Sequence, residues 1–116
     1  MPVIDWMYDR KSCKTCQRAR GYLGACEIAA RETVDATKVR IGPAEALKLL
    51  AGVERVIAAK GKKVVTFDLT DARPDDETLL AAVIGPSGNL RAPAVRVGKT
   101  MLIGFTEEMY RDGLGV

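Results

Sequence analysis

Cys13-Lys14-Thr15-Cys16 sets two thiols three residues apart in a chain that contains no histidine. On the first turn of a helix, that spacing brings two sulfurs close enough to form and break a disulfide. The first thiol would lie where the helix dipole and unpaired backbone N–H groups favour a thiolate. Arg10, Lys11 and Lys14 add positive charge around it and act in the same direction. The chemistry this pattern supports is thiol–disulfide exchange, with Cys13 as nucleophile and Cys16 resolving the mixed disulfide.

Two other readings of the pair stand beside it. Half of a zinc site would need two more ligands, and the chain has neither a second Cys pair nor a histidine, so no metal is expected. A purely structural role, as small apolar residues at a helix start, fits Cys16 and Cys26 better than Cys13 with its basic neighbours. Cys26 reads as a buried core cysteine, about two to three turns from Cys16 and out of bridging range on a straight helix. The missing histidines also remove a histidine general base and a Ser-His-Asp triad. Thiols, carboxylates, amines and backbone groups remain, and no organic cofactor is expected.

The elements that must position these thiols follow from the surrounding pattern. Val3 to Tyr8 is mostly apolar and reads as a central strand, and Arg10-Lys11-Ser12 as the loop after it. A helix is expected over 13–26, with Cys16, Ala19, Leu23 and Cys26 on one face. Cys13 precedes that stripe at the exposed end, and Cys16 begins the buried face. Ile28 to Val34 reads as a second strand, strongest over Glu32, Thr33 and Val34. Gly42-Pro43 opens a second helix whose apolar face takes Leu47, Leu50 and Ile57 and which Gly61 ends.

Lys60-Gly61-Lys62-Lys63 is a basic turn, and 64–69 has strand-like composition. Asp75 or Asp76 is expected to cap a short helix through Leu79, Leu80, Val83 and Ile84. Gly85-Pro86-Ser87-Gly88-Asn89 breaks the chain. Ala94–Val97, Gly98-Lys99 and Thr100–Ile103 make a hairpin signal, and Thr106 caps a last helix with Glu107 and Glu108 in its first turn. The expected class is α/β, a small mixed sheet covered by helices.

At 116 residues the chain suits one domain, 1–116. The formal charge of +3 is mild and the basic residues are scattered, which with few aromatics argues against direct nucleic-acid binding. No apolar run approaches the ~20 residues that span a bilayer, so no membrane partner is expected. The N-terminus carries Asp5 and no basic leader, and three cysteines do not make a disulfide framework. The expected location is the cytoplasm.

By spacing alone, Pro93 is either an ordinary trans proline at a strand start or a cis proline. The order strand, Cys-x-x-Cys helix, strand, then Pro-strand-turn-strand-helix is similar to the thioredoxin fold as glutaredoxins build it. Ser12-Cys13-Lys14-Thr15-Cys16, a helical insertion over about 43–84, Asn89-Leu90-Arg91-Ala92-Pro93 and Gly98 to Phe105 resemble one branch more closely. That branch is the arsenate reductase-related (ArsC/Spx-type) group.

The resemblance implies a cis Pro93 beside the thiols and an Ala92 that pairs with the substrate backbone. Lys14 and Arg91 would border the substrate. It implies a thiol–disulfide oxidoreductase that acts on an oxidised protein or small-molecule disulfide and draws electrons from another thiol system. Arsenate reductases of the branch normally carry arginines around the nucleophile. This chain has Gln17 after Cys16, Ala92 before the proline and Lys60 at the later basic position, a departure that disfavours arsenate. The alternative within the branch is a non-catalytic regulator that binds RNA polymerase and uses the Cys pair as a redox switch.

Overall fold

The computed structural model describes residues 3–60, 63–71 and 73–114, so Gly61 and Lys62 of the basic turn lie outside the described residues. The first apolar segment forms two short strands, β1 (Val3–Ile4) and β2 (Trp6–Asp9), separated by a bend at Asp5. Asp5 is exposed and holds the neighbouring hairpin: its carboxylate accepts the Gly98 amide at 2.6 Å, and its own amide donates to Arg96 at 2.9 Å. Helix α1 (Lys14–Ala25) then carries the chain to β3 (Ala29–Ala30) and β4 (Thr33–Asp35). These pair parallel with β1 and β2 respectively, which makes the β-α-β unit expected from the sequence.

Helix α2 (Pro43–Leu50) starts at the expected proline and stops well short of Gly61. The segment expected to continue it is instead a strand, β5 (Arg55–Lys60), which turns back as β6 (Lys63–Asp68) before α3 (Asp76–Val83). Ile57 therefore belongs to a strand and not to the helix of Leu47 and Leu50. The physical cause is burial on both sides. Val56, Ile57, Ala58 and Ala59 are all buried, so the run lacks the alternation that marks a half-exposed strand. The insertion expected to be helical is thus a helix, a hairpin and a helix.

The hairpin of β7 (Ala94–Val97) and β8 (Thr100–Ile103) has the expected bounds and pairs Ala94 with Ile103. Gly98, at φ +59°, supplies the left-handed residue of its turn. β7 runs antiparallel to β2, and β5 runs parallel to β8. The main sheet has the order β4-β2-β7-β8-β5-β6, in which the inserted hairpin extends a four-strand core. Asp75 is the cap of α3, accepting the Thr78 amide at 2.9 Å, and Thr106 caps α4 (Glu107–Leu114) by accepting the Met109 amide at 3.1 Å.

Alternate residues of each central strand feed two apolar layers. Tyr8, Val56, Ala58, Ala94, Met101 and Ile103 face α2 and α3, while Met7, Ile57, Ala59, Val95 and Leu102 face α1 and α4. The helices on the second side set the Cys13–Cys16 pair at one end of the sheet, where β2 ends and α1 begins. No helix among the described residues is long and apolar enough to cross a membrane.

Candidate active site

Cys13 is the N-cap of α1, with extended backbone at φ −83° and ψ 124°. The loop before it is tied by the Cys13 amide to the Arg10 carbonyl at 3.2 Å, and the helix begins with the Gln17 amide on the Cys13 carbonyl at 3.0 Å. A cap position normally takes a side-chain oxygen that accepts an orphan N–H. Here a sulfur does so: Cys13 Sγ accepts the Cys16 amide at 3.4 Å. On its other side the thiol donates to the Ala92 carbonyl at 3.9 Å. The Ala92–Pro93 peptide is cis, and Pro93 is buried while Ala92 is half-buried.

The two thiols, three residues apart, have opposite electrostatics. Burial pushes Cys13 up, but hydrogen bonds from Cys16 and Thr15 together outweigh it, and the net direction is down from the ordinary thiol value. Cys16 is completely enclosed, and its thiol is pushed up to about 12, chiefly by burial. A lowering by the Arg10 backbone opposes this rise, and hydrogen bonding to Cys13 and the negative charges of Cys13 and Asp9 contribute to it. The proton therefore stays on Cys16 while Cys13 ionises, which is the division of labour thiol exchange needs.

Around the pair, Lys14 is exposed on the first turn. Arg91 lines the cavity beside Cys13. Its guanidinium turns into the protein, donating from Nη1 to the Ala82 carbonyl at 3.1 Å and from Nη2 to the Ala59 carbonyl at 2.6 Å. Burial lowers its pKa. Arg91 thus braces the segment before Pro93 against β5 and the end of α3. Gly104 completes this corner: its amide donates to the Pro93 carbonyl at 2.8 Å, and its φ is +81°. A Cβ there would come within 3.2 Å of the Ala59 Cβ and 3.3 Å of Arg91 Nη2, so the close approach needs glycine.

Behind Cys16, Arg20 makes an ion pair with Asp9. Tyr110 is fully enclosed, and its hydroxyl has no hydrogen-bond partner among the described residues. Burial raises its pKa, and the charges of Cys16 and Asp9 add to that. Cys26, expected to be fully buried, is only half-buried, because it caps the C-terminus of α1 where the helix leaves the apolar layer.

Cys13 opens onto a cavity of about 440 Å³. Tyr8, Arg10, Thr37, Arg40, Ser87 and Asn89 contribute to its walls, with Ala92 beside the thiol. Sequence reasoning missed the contribution of Thr37, Arg40, Ser87 and Asn89. Thr37 and Arg40 stand in a loop with no motif, and Ser87 and Asn89 in a segment legible only as a chain break and as the run before Pro93; the pairing of β4 beside β2 and the Ile84–Leu90 bridge bring them to the thiol.

The model of one protein family, described as the ArsC family, matches residues 8–112. That span takes in Cys13 and Cys16, the inserted hairpin, the cis-proline and most of the last helix. Among curated proteins, none matches the chain.

Proposed function

The chain belongs to the ArsC family, whose thioredoxin-like fold is the one described above and many of whose members are thiol-based reductases, and from that premise we propose that it is a dithiol thiol–disulfide oxidoreductase. The observation that carries this reading is the cap itself: one sulfur holds the helix N-terminus and ionises, and the other lies buried and protonated one turn later.

The Cys13 thiolate attacks one sulfur of a disulfide, that S–S bond breaks, and the leaving thiolate takes a proton from water. Cys16 then loses its proton and attacks Cys13, which releases the second thiol and leaves a Cys13–Cys16 disulfide. Two electrons pass from the protein to the substrate, and a second thiol system returns them. Substrate lies along Ala92 and against Pro93, where the half-buried main chain borders the attacking sulfur. The dithiol form suits a reducing compartment such as the cytoplasm.

Arsenate is not the substrate in this reading. The positions flanking the pair where arsenate reductases of the family carry arginines are Gln17 and Ala92 here, the Arg91 guanidinium is engaged by two carbonyls, and the guanidinia of Arg10 and Arg40 stand elsewhere on the cavity wall. Turnover tests the proposal. A trace of protein with excess bis-hydroxyethyl disulfide and a regenerating dithiol should release many equivalents of thiol above the uncatalysed rate. A protein that is oxidised once and then stops is a redox switch and contradicts catalysis.

A further inference from the structure

The cavity beside Cys13 carries charge that the exchange chemistry leaves unused. Arg10 and Arg40 both line it, both are exposed, and neither forms an ion pair among the described residues. The neighbouring arginines are committed elsewhere, Arg20 to Asp9 and Arg91 to main-chain carbonyls. No acidic side chain is among the described residues that line the cavity. Tyr8 lines the same cavity, and its hydroxyl donates to the carbonyl of Val39, the residue before Arg40. Burial raises that phenol's pKa, while a backbone hydrogen bond at Ile41 and the charges of Arg10 and Arg40 oppose the rise.

Thr37, Ser87 and Asn89 add neutral hydrogen-bonding groups around the same space. A volume of about 440 Å³ holds a small molecule. Two unpaired guanidinia, with no competing carboxylate, are a receptor for a carboxylate.

We propose that the substrate is a low-molecular-weight anionic disulfide, its carboxylate held by Arg10 and Arg40 while its sulfur meets Cys13. This rests on the oxidoreductase reading and names the substrate class of the same site. One disulfide and two protein thiols become two free thiols and the Cys13–Cys16 disulfide. The protons of the two protein thiols balance those taken up by the products.

The test uses the reduced full chain, freed of reductant, in single turnover with three probes. Dithiodiglycolate is anionic, bis-hydroxyethyl disulfide neutral and cystamine cationic. Each rate is divided by the rate of the same disulfide with free mercaptoethanol, which removes differences in intrinsic reactivity and leaving group. The expected order is anionic, neutral, cationic, with the anionic probe ahead of the neutral one by about tenfold, the scale of two exposed charge-assisted contacts.

Raising the salt concentration on the native protein should collapse that ratio. So should the double substitution Arg10→Gln and Arg40→Gln, whatever it does to the absolute rates. Equal normalised rates for the three probes overturn the charge selection and leave the oxidoreductase standing. A ratio that survives both salt and the double substitution overturns the assignment to these arginines. Failure to reduce any of the three overturns both readings.

Discussion

The Cys16 amide donates to the sulfur of Cys13 at 3.4 Å, so the first half of the motif caps the helix turn that holds the second. This contact exists because Cys13 has left the helix while Cys16 is inside it. The same turn that aims an N–H at Cys13 drives the Cys16 side chain into the apolar layer. One backbone geometry therefore makes one thiol acidic and keeps the other protonated.

The pair predicts how stability changes with pH in the reduced protein. Cys13 has a folded pKa below the ordinary 9.0, so its contribution is present above 9.0 and is lost as pH falls through the folded value. Cys16 has a folded pKa raised to about 12, so its contribution is present below 9.0 and is lost as pH rises from there towards about 12. Urea midpoints measured across the alkaline range should fall, and Cys16→Ser should fall less steeply. Equal slopes in the two proteins would contradict the buried, protonated thiol.

Arg91 should matter more to stability than to charge. Arg91→Met removes two hydrogen bonds from a charged donor and strands the carbonyls of Ala59 and Ala82, at a cost of about 2–4 kcal/mol. Arg91→Lys should restore little, since one ammonium lacks the fork that reaches both carbonyls. Denaturant midpoints measure this. A loss within about 0.5 kcal/mol for Arg91→Met would place the side chain at the surface.

Tyr110 points the other way. Its hydroxyl is enclosed without a partner among the described residues, so Tyr110→Phe removes a desolvated group and keeps the ring packed on Phe105, whose centroid is 4.8 Å away. Thermal melting should show a gain of about 1 kcal/mol. A clear loss would show that the hydroxyl makes a hydrogen bond in solution.

Much of this arrangement was legible in the residue order, for local reasons. The β7–β8 hairpin has two short apolar runs and a glycine turn, and Asp75 and Thr106 are short-range caps. The Cys pair announces itself by spacing. β5 was illegible because Ile57 falls at a helical interval from Leu50 while helices on both sides of the sheet remove any alternation. The direction of the Arg91 side chain and the presence of Arg40 in the cavity depend on contacts between distant segments. Ala59 is thirty-two residues from Arg91, and nothing in the intervening sequence marks the pairing.

Trapping tests the account most directly. Cys16→Ser leaves Cys13 able to attack and removes the thiol that releases the product. Incubated with a disulfide substrate, quenched with acid and mapped by mass spectrometry without reductant, this variant should accumulate one adduct per chain, on Cys13, which a dithiol then removes. An adduct on Cys26 in place of Cys13, or no adduct while the same disulfide is consumed by the native protein, would contradict Cys13 as the attacking thiol.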